Sequence, residues 1–363
     1  MRILYVVPDF PGSPRKGYQV RAAAFANYLG QAHEVKVAAS FPGGTADATL
    51  GPRGRLSQAE AVIRLLARGW PLQASLFDGP DVALKALEFG QKMSADIAVI
   101  TTERMPFTTT ALAQVYPTVA DIVDSQARHM AMRASRSRFP VAALFRHEAV
   151  AFVRLSGTLR RVVRRVVVCA ARETRDYPDA EVIPNGAFAT ARSGKPTIDV
   201  VFSGNLDYWP NVDAVAELCG AIVPKLRALG LAPRVTVAGR SPTASVLAAC
   251  ASSGVDVLSN VEDMSAVLRR ARLAVAPIRS ATGSQLKVLE ALSAGTPVLV
   301  YPEAAAGLQP GLTGVVICRD ADAMARVAVE ILTGTRTVSV EGEQFRWELQ
   351  AARFQRLLES VVA

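Results

Sequence analysis

The sequence predicts an α/β protein of two Rossmann-like domains, each built on a parallel sheet. Three observations lead there. Short, continuous apolar runs alternate with helical patterns along all 363 residues, and strands apolar on both faces are those of a buried parallel sheet. Successive runs are separated by enough chain for the helical crossovers that parallel strands require. The alternation breaks at residues 186–196, where Gly, Ser, Ala, Arg and Lys replace the periodic pattern, and the lengths on either side each suit one domain.

In the first half, strands are expected at 2–7, 34–39, 96–101, 119–123, 166–170 and 181–183. Helical periodicity between them falls near 19–30, 57–68, 82–93, 107–114 and, at greater length, 141–163. In the second half, strands fall at 200–203, 235–238, 255–258, 273–277, 298–301 and 315–318. Helices there fall near 212–229, 245–252, 263–270, 285–294 and 321–332. The tail after residue 343 reads as one more helix, with Phe345, Leu349, Phe354, Leu357 and Leu358 as its apolar stripe. No solenoid repeat or low-complexity stretch interrupts the pattern.

Composition narrows the function classes. Half of the residues are apolar, yet no uninterrupted apolar run approaches the ~18–20 residues of a membrane span. The start, Met1 to Pro8, reads as a first buried strand and lacks the features of a signal peptide. The four cysteines, Cys169, Cys219, Cys250 and Cys318, are scattered without a CxxC; buried free thiols in a reducing cytosol are expected, rather than a metal or disulfide framework. The net charge of +9 is uneven: residues 1–190 hold 24 Lys+Arg against 16 Asp+Glu, residues 191–363 hold 17 against 16. Such asymmetry points to an anionic partner of the first half.

The stretch Gly283-Ser284-Gln285-Leu286-Lys287-Val288-Leu289-Glu290 follows the strand at 273–277 and opens a helix. Strand, small-residue loop and helix start present free N–H groups and a positive helix end to a phosphate. Lys287 adds a cation in the first turn, and Glu290, three residues on, is placed to accept hydrogen bonds from sugar hydroxyls. Gly204 and Asn205 follow the strand at 200–203, where glycine lets backbone approach a ligand. Arg240, after the strand at 235–238, has the geometry to clamp a diphosphate oxygen; a solvated loop arginine is the other reading of it. Ligands of doubly wound sheets bind beyond the carboxyl ends of the strands, which is where all of these residues fall.

The 283–291 phrase resembles the donor-site motif of retaining, nucleotide-sugar-dependent glycosyltransferases of the GT-B fold. Three further phrases support it: Phe202 to Ala214 (Phe-Ser-Gly-Asn-Leu-Asp-Tyr-Trp-Pro-Asn-Val-Asp-Ala), Val182-Ile-Pro-Asn-Gly186 and Lys16-Gly-Tyr-Gln-Val-Arg21. The sequence looks most like the glycosyltransferase family 4-like members that transfer sugars in exopolysaccharide and cell-envelope assembly. The resemblance implies two domains facing across a cleft: an acceptor domain at 1–188, a donor domain at 197–343, and a helix at 344–363 packing back on the first. It also implies phosphate contacts for Arg240 and Lys287, and a nucleobase contact for the backbone of Val261, where Glu262 or Asp263 also suits a helix cap. One departure is evident. Many relatives carry a second carboxylate eight residues before the ribose-binding glutamate, and that position is Thr282 here. Backbone amides around Thr282–Ser284 remain to hold phosphate or sugar hydroxyls.

On the acceptor side, the loop at 11–18 follows the first strand, with Gly17 at the turn and Arg15, Lys16 and Arg21 expected as cationic walls. Asp121 and Asp124 bracket the end of the strand at 119–123. Asp124 is the better catalytic or orienting candidate, with Asp121 on the strand flank; His129 is a second candidate. His33 reads as structural. Relatives with a glutamate eight residues after the Glu148 position again differ, since Ser156 stands there.

An arginine-rich region runs from Arg128 through Arg133, Arg136, Arg138, Arg146 and Arg154 to the run at 160–165, interspersed with Phe139, Leu144, Phe145, Phe152 and Leu155. It suits peripheral contact with an anionic membrane, or a solvated helix face. Nucleic acid fits worse, since stacking aromatics and known binding motifs are missing. The expectation is therefore a cytoplasmic enzyme, peripheral to the inner face of the plasma membrane. It would move a sugar from a UDP- or GDP-sugar to a hydroxyl of a glycan, lipid-linked glycan or small-molecule acceptor, with the retention of configuration that the resemblance implies, and with no cofactor and no metal. Alternatives are a non-catalytic sugar-nucleotide or membrane-binding module of the same fold, and a nucleotide-sugar 2-epimerase, which the scarcity of histidine disfavours.

Overall fold

The computed structural model describes residues 1–12, 16–41, 44–51, 55–188, 195–280, 283–341 and 345–363. Contacts divide the chain into two units. Unit 1 comprises Met1–Asn185, Thr282–Ser284 and Trp347–Ala363; unit 2 comprises Gly186–Ala281 and Gln285–Arg346.

Unit 1 contains the strands β1 (Arg2–Val7), β2 (Glu34–Ala39), β3 (Ala48–Thr49), β4 (Ile97–Thr101), β5 (Thr118–Ile122), β6 (Arg165–Val168) and β7 (Glu181–Val182). Its helices are α1 (Gly17–Leu29), α2 (Arg55–Arg68), α3 (Pro80–Lys92), α4 (Pro106–Ala113), α5 (Gln126–Arg136) and α6 (Val141–Val162). The sheet order is β3-β2-β1-β4-β5-β6-β7, parallel at every pairing. From β1 the chain builds outward through β2 and β3, and from β4 outward the other way. The junction of β1 with β4 is therefore the topological switch point. Central strands are apolar on both faces: Ile3, Leu4, Tyr5, Val6 and Val7 are fully buried, as are Ile97, Ala98 and Val99.

Helix α5 and the two-residue β3 do not stand out in the sequence. The buried stripe of α5 is narrow and built from small or flexible residues, Ala127, Met130 and Ala134, among arginines. Its start is fixed by Ser125, whose hydroxyl accepts the Arg128 N–H at 3.3 Å.

Unit 2 contains the strands β8 (Ile198–Asn205), β9 (Val235–Arg240), β10 (Asp256–Ser259), β11 (Ala271–Ala276), β12 (Val298–Val300) and β13 (Val315–Ile317). Its helices are α7 (Trp209–Glu217) and α8 (Val223–Ala228), joined through a π-helical turn at Leu218–Ile222, then α9 (Ala244–Ser253), α10 (Met264–Arg269), α11 (Leu286–Ser293), α12 (Pro302–Ala305) and α13 (Ala321–Thr333). The order is β10-β9-β8-β11-β12-β13, again all parallel, with the switch point between β8 and β11. Strands β8 and β9 run further than their apolar cores suggest, so Gly204, Asn205, Gly239 and Arg240 lie within the ladder rather than beyond it.

The last helix, α14 (Trp347–Val362), belongs to unit 1. Phe354 stacks on Phe25 of α1 with ring centroids 4.7 Å apart, and Trp347 meets Phe25 edge-on at 5.9 Å; such pairs add about 0.5–1.5 kcal/mol each beyond area burial. His33 Nε2 lies 3.5 Å from the Glu359 carboxylate. The expected stripe is divided, however. Phe354, Leu357 and Leu358 are buried on unit 1, Phe345 packs into the core of unit 2, and Leu349 stays exposed. All four cysteines are buried free thiols. Among the described residues, no helix is long and apolar enough to cross a membrane.

Candidate functional site

In unit 2 the carboxyl ends of β8 and β9 approach unusually closely. Gly204 pairs with Gly239, and a Cβ built on Gly239 would fall 1.8 Å from the Gly204 carbonyl oxygen. A Cβ on Gly204 would fall 2.8 Å from Asn211 Nδ2 and 3.0 Å from Lys287 Nζ. Only glycine at both positions lets the lysine and the amide lie against the strand end.

Lys287 is the second residue of α11 and half-buried. Its ammonium donates a short hydrogen bond to Asn211 Oδ1 and lies 4.9 Å from the centre of the Phe202 ring. Asn211 in turn donates to the Asn205 carbonyl at 2.7 Å. Crowding by protein pushes the Lys287 pKa down to about 7, opposed by the carboxylate of Glu290. Glu290 keeps solvent-exposed surface, yet desolvation by the same surroundings raises its carboxyl, with Lys287 opposing. Thus Lys287, Gly204 and Asn205 come together. Asn211 joins them, and its place within the 202–214 phrase was the available signal.

Arg240 is half-buried at the end of β9, its carbonyl accepting the Leu206 N–H at 2.9 Å. Val261 is half-buried just before α10. The cap of that helix is Asp263, whose carboxylate accepts the Ala266 N–H at 3.1 Å.

The corresponding end of unit 1 is denser in charge. After β1, Asp9 accepts hydrogen bonds from the Tyr18 hydroxyl and, at 3.2 Å, from Lys16 Nζ. Gly17 is the first residue of α1. Arg15 and Thr282 lie outside the described residues. Arg21 is not a cationic wall: it is 0 % exposed. Its Nε lies 2.9 Å from both Asp121 oxygens, and Nη1 donates to the Ile183 carbonyl and Asn185 Oδ1 at 2.9 and 3.0 Å. Asp121 is likewise inside β5 and fully buried rather than on a flank. The pair is structural, because α1 carries Arg21 on its sheet-facing side.

Beyond β5 and β6 lies a second network. Glu173, fully buried, accepts from the Ser125 N–H at 3.0 Å and pairs with Arg128 at 3.2 Å and Arg172 at 3.3 Å. The loop residue Gly283 donates its N–H to Glu173 at 3.1 Å, and its carbonyl accepts from Arg172. Gly283 has φ +57°, and a Cβ there would fall 1.8 Å from Asp124 Oδ1. Ser284, next to it, is half-buried.

Burial, and then the charge of Glu173, raise the Asp124 pKa to about 6, against the opposing guanidiniums of Arg104 and Arg172. Burial, with Arg104 and Arg133, lowers that of His129 to about 4. Both groups are thus mainly unprotonated at neutral pH, the state in which they accept protons. Glu103 is buried too, its pKa pushed to about 7 by desolvation against a hydrogen bond from Tyr177. Sequence reasoning missed Glu103, Arg104, Arg172 and Glu173. Each follows the carboxyl end of a parallel strand, and that placement was the signal.

Residues 197–334 match the family described as Glycosyl transferases group 1. No curated protein sequence matches the chain significantly. Solved structures share the fold at low identity. Sucrose-phosphate synthase from Thermosynechococcus elongatus is 12% identical, with 99% of each chain covered and a TM-score of 0.69. Anabaena HepE in complex with UDP-glucose is 13% identical, with 99% of this chain and 100% of that one covered and a TM-score of 0.67. The catalytic domain of Arabidopsis thaliana starch synthase IV, bound to ADP and acarbose, is 12% identical, with 99% of each covered and a TM-score of 0.62.

Proposed function

We propose that the chain is a glycosyltransferase of the GT-B fold that transfers a sugar from a UDP- or GDP-sugar to an acceptor hydroxyl with retention of configuration; the match of residues 197–334 to the group 1 glycosyl transferases and the shared fold support this reading. Unit 2 takes the donor, through Gly204, Asn205, Arg240, Val261, Lys287 and Glu290. Unit 1 takes the acceptor near Lys16, Gly17 and Asp124, with His129 beside it, and the Gly283–Ser284 backbone contributes to phosphate or sugar binding. The observation that carries this reading is Lys287. It is a crowded ammonium set against glycine backbone, with a neutral amide as its hydrogen-bond partner. A diphosphate supplies a direct counter-charge beyond the through-space field of Glu290 and restores full protonation. The likeness of the fold to HepE in complex with UDP-glucose supports the same class of donor.

The acceptor is proposed to be a glycan or a lipid-linked glycan met at the membrane surface. Helix α6 exposes Val150 and Val153 among Arg146, Arg154 and Arg161, and Phe139 just before it is 86% exposed. Apolar contacts flanked by guanidiniums are what an interfacial helix presents to anionic headgroups. Co-sedimentation with phosphatidylglycerol vesicles but not with phosphatidylcholine vesicles is expected.

Thermal-shift titration with UDP-, GDP- and ADP-sugars tests the donor reading. A ligand at 100 times its Kd adds about 2.7 kcal/mol to apparent stability. One nucleotide series is expected to raise the Tm of the wild type and to leave Lys287→Ala unmoved; an equal shift in the variant would reject the donor site.

A further inference from the structure

The switch point of unit 1 holds an arginine that forms no ion pair among the described residues. Arg104 follows β4, next to the loop that follows β1. The carboxylates of the other residues around it are engaged. Asp9 is held by Lys16 and Tyr18, Glu103 by Tyr177 and the Gln126 N–H, Glu173 by Arg128 and Arg172, and Asp176 by Arg128. Asp124 acts on Arg104 through space without forming an ion pair with it. Among the described residues, the Arg104 guanidinium hydrogen-bonds the neutral amide of Gln126 and stacks on Phe77 at 5.2 Å. Its Nε is buried with no hydrogen-bond partner.

Arg21 is the internal control. Where this unit buries an arginine for structure, it supplies a carboxylate and two oxygen acceptors. Arg104 is half-buried, and a guanidinium whose buried Nε has no partner is placed to take an acceptor from outside. Two further groups stand by. Arg133 of α5 packs on Phe145 at 4.2 Å and forms no ion pair among the described residues. His129, one turn before it, feels both guanidiniums.

We infer that Arg104, with Arg133 and His129, forms an oxyanion subsite in unit 1, and that the acceptor is consequently an anionic molecule bearing a phosphate ester or a carboxylate. The planar fork of Arg104 matches either group bidentately. The inference rests on the reading that unit 1 takes the acceptor, and it narrows that acceptor to acidic molecules.

The test uses the full chain with 15N-labelled histidine, the His129 ring resonances being assigned by comparison with His129→Gln. Inorganic phosphate and acetate are titrated separately at constant ionic strength. A saturable movement of the His129 resonances is expected, with phosphate alone if the ligand group is a phosphate ester, and with acetate as well if it is a carboxylate. In Arg104→Gln the half-saturating concentration should rise about tenfold or more, as loss of a charged hydrogen bond implies. Arg133→Gln should give a smaller rise, and it carries the test if Arg104→Gln does not fold. No movement with either ion in the wild type would overturn the inference, as would the same half-saturation in both variants. A parallel UDP titration, read as the Tm difference between wild type and Lys287→Ala, probes the donor reading independently. A silent His129 with an intact UDP response therefore removes the oxyanion subsite alone.

Discussion

The two switch points solve the same problem with opposite means. In unit 2 Lys287 faces glycine backbone, one amide and one aromatic ring, with Glu290 acting on it through space. In unit 1 the corresponding ends of β1, β4, β5 and β6 carry a lysine, several arginines and several carboxylates, most of them already paired. A sparse site leaves nearly all of its counter-charge to the ligand, so it is selective for the presence of an anion. A dense site has spent its charges on its own architecture, and what remains unpaired sets what it accepts. The first kind suits a ligand class used repeatedly, such as a nucleotide diphosphate; the second suits a ligand particular to one protein.

The contrast can be broken at several points, the largest effect first. Arg21→Met leaves Asp121 buried and unmatched, and should lower the stability of unit 1 by about 3–5 kcal/mol in urea denaturation. If it has no effect, the unit 1 charges are not structural and the comparison fails. Gly239→Ala forces a Cβ into the Gly204 carbonyl. A loss of about 2 kcal/mol or more is expected, together with weakened nucleotide binding. Gly283→Ala meets Asp124 and places an L-residue at φ +57°, for about 1–2 kcal/mol of strain; circular dichroism melts read both.

The pH response should separate the units most finely. The Lys287 pKa lies near 7, below its unfolded value of about 10.4. Between those values the unfolded chain binds more protons, so stability rises with pH. The stability advantage of Lys287→Met should therefore shrink from pH 7 to pH 10. Asp124 is raised to about 6, so the native state binds more protons from about pH 4 to 6, and stability falls as pH rises through that window. The advantage of Asp124→Asn should grow there. Denaturation curves at fixed pH values check both slopes, and parallel slopes would erase the distinction between the two sites.

The two sites also differed in how readily the sequence disclosed them. Alternation of apolar runs with helical periods revealed both sheets, because strands buried on both faces must be apolar throughout. The unit 2 site was visible because glycine, lysine and glutamate occur close together in one strand–loop–helix stretch. The unit 1 site is assembled from residues as far apart as Asp9 and Glu173, and pairing across such separations leaves no local pattern. Arg21 and Asp121 show the limit: one charge on a helix and one in a strand read as exposed until the fold places them face to face. Helix α5 was hidden for a related reason, since its buried face is alanine and methionine among arginines.

Phe345 packs in the core of unit 2, while Trp347, two residues later, opens the helix that packs on Phe25 of unit 1. The core of the unit that contains β1 is thus completed by α14, which is translated after every other element named here. Until then α1 exposes the aromatic face that Phe354 covers. During synthesis the residues of the unit 2 core, through Phe345, emerge before α14 does, although most of unit 1 is translated first. The unit whose strands appear first in the sequence is thus the one whose residues are complete last.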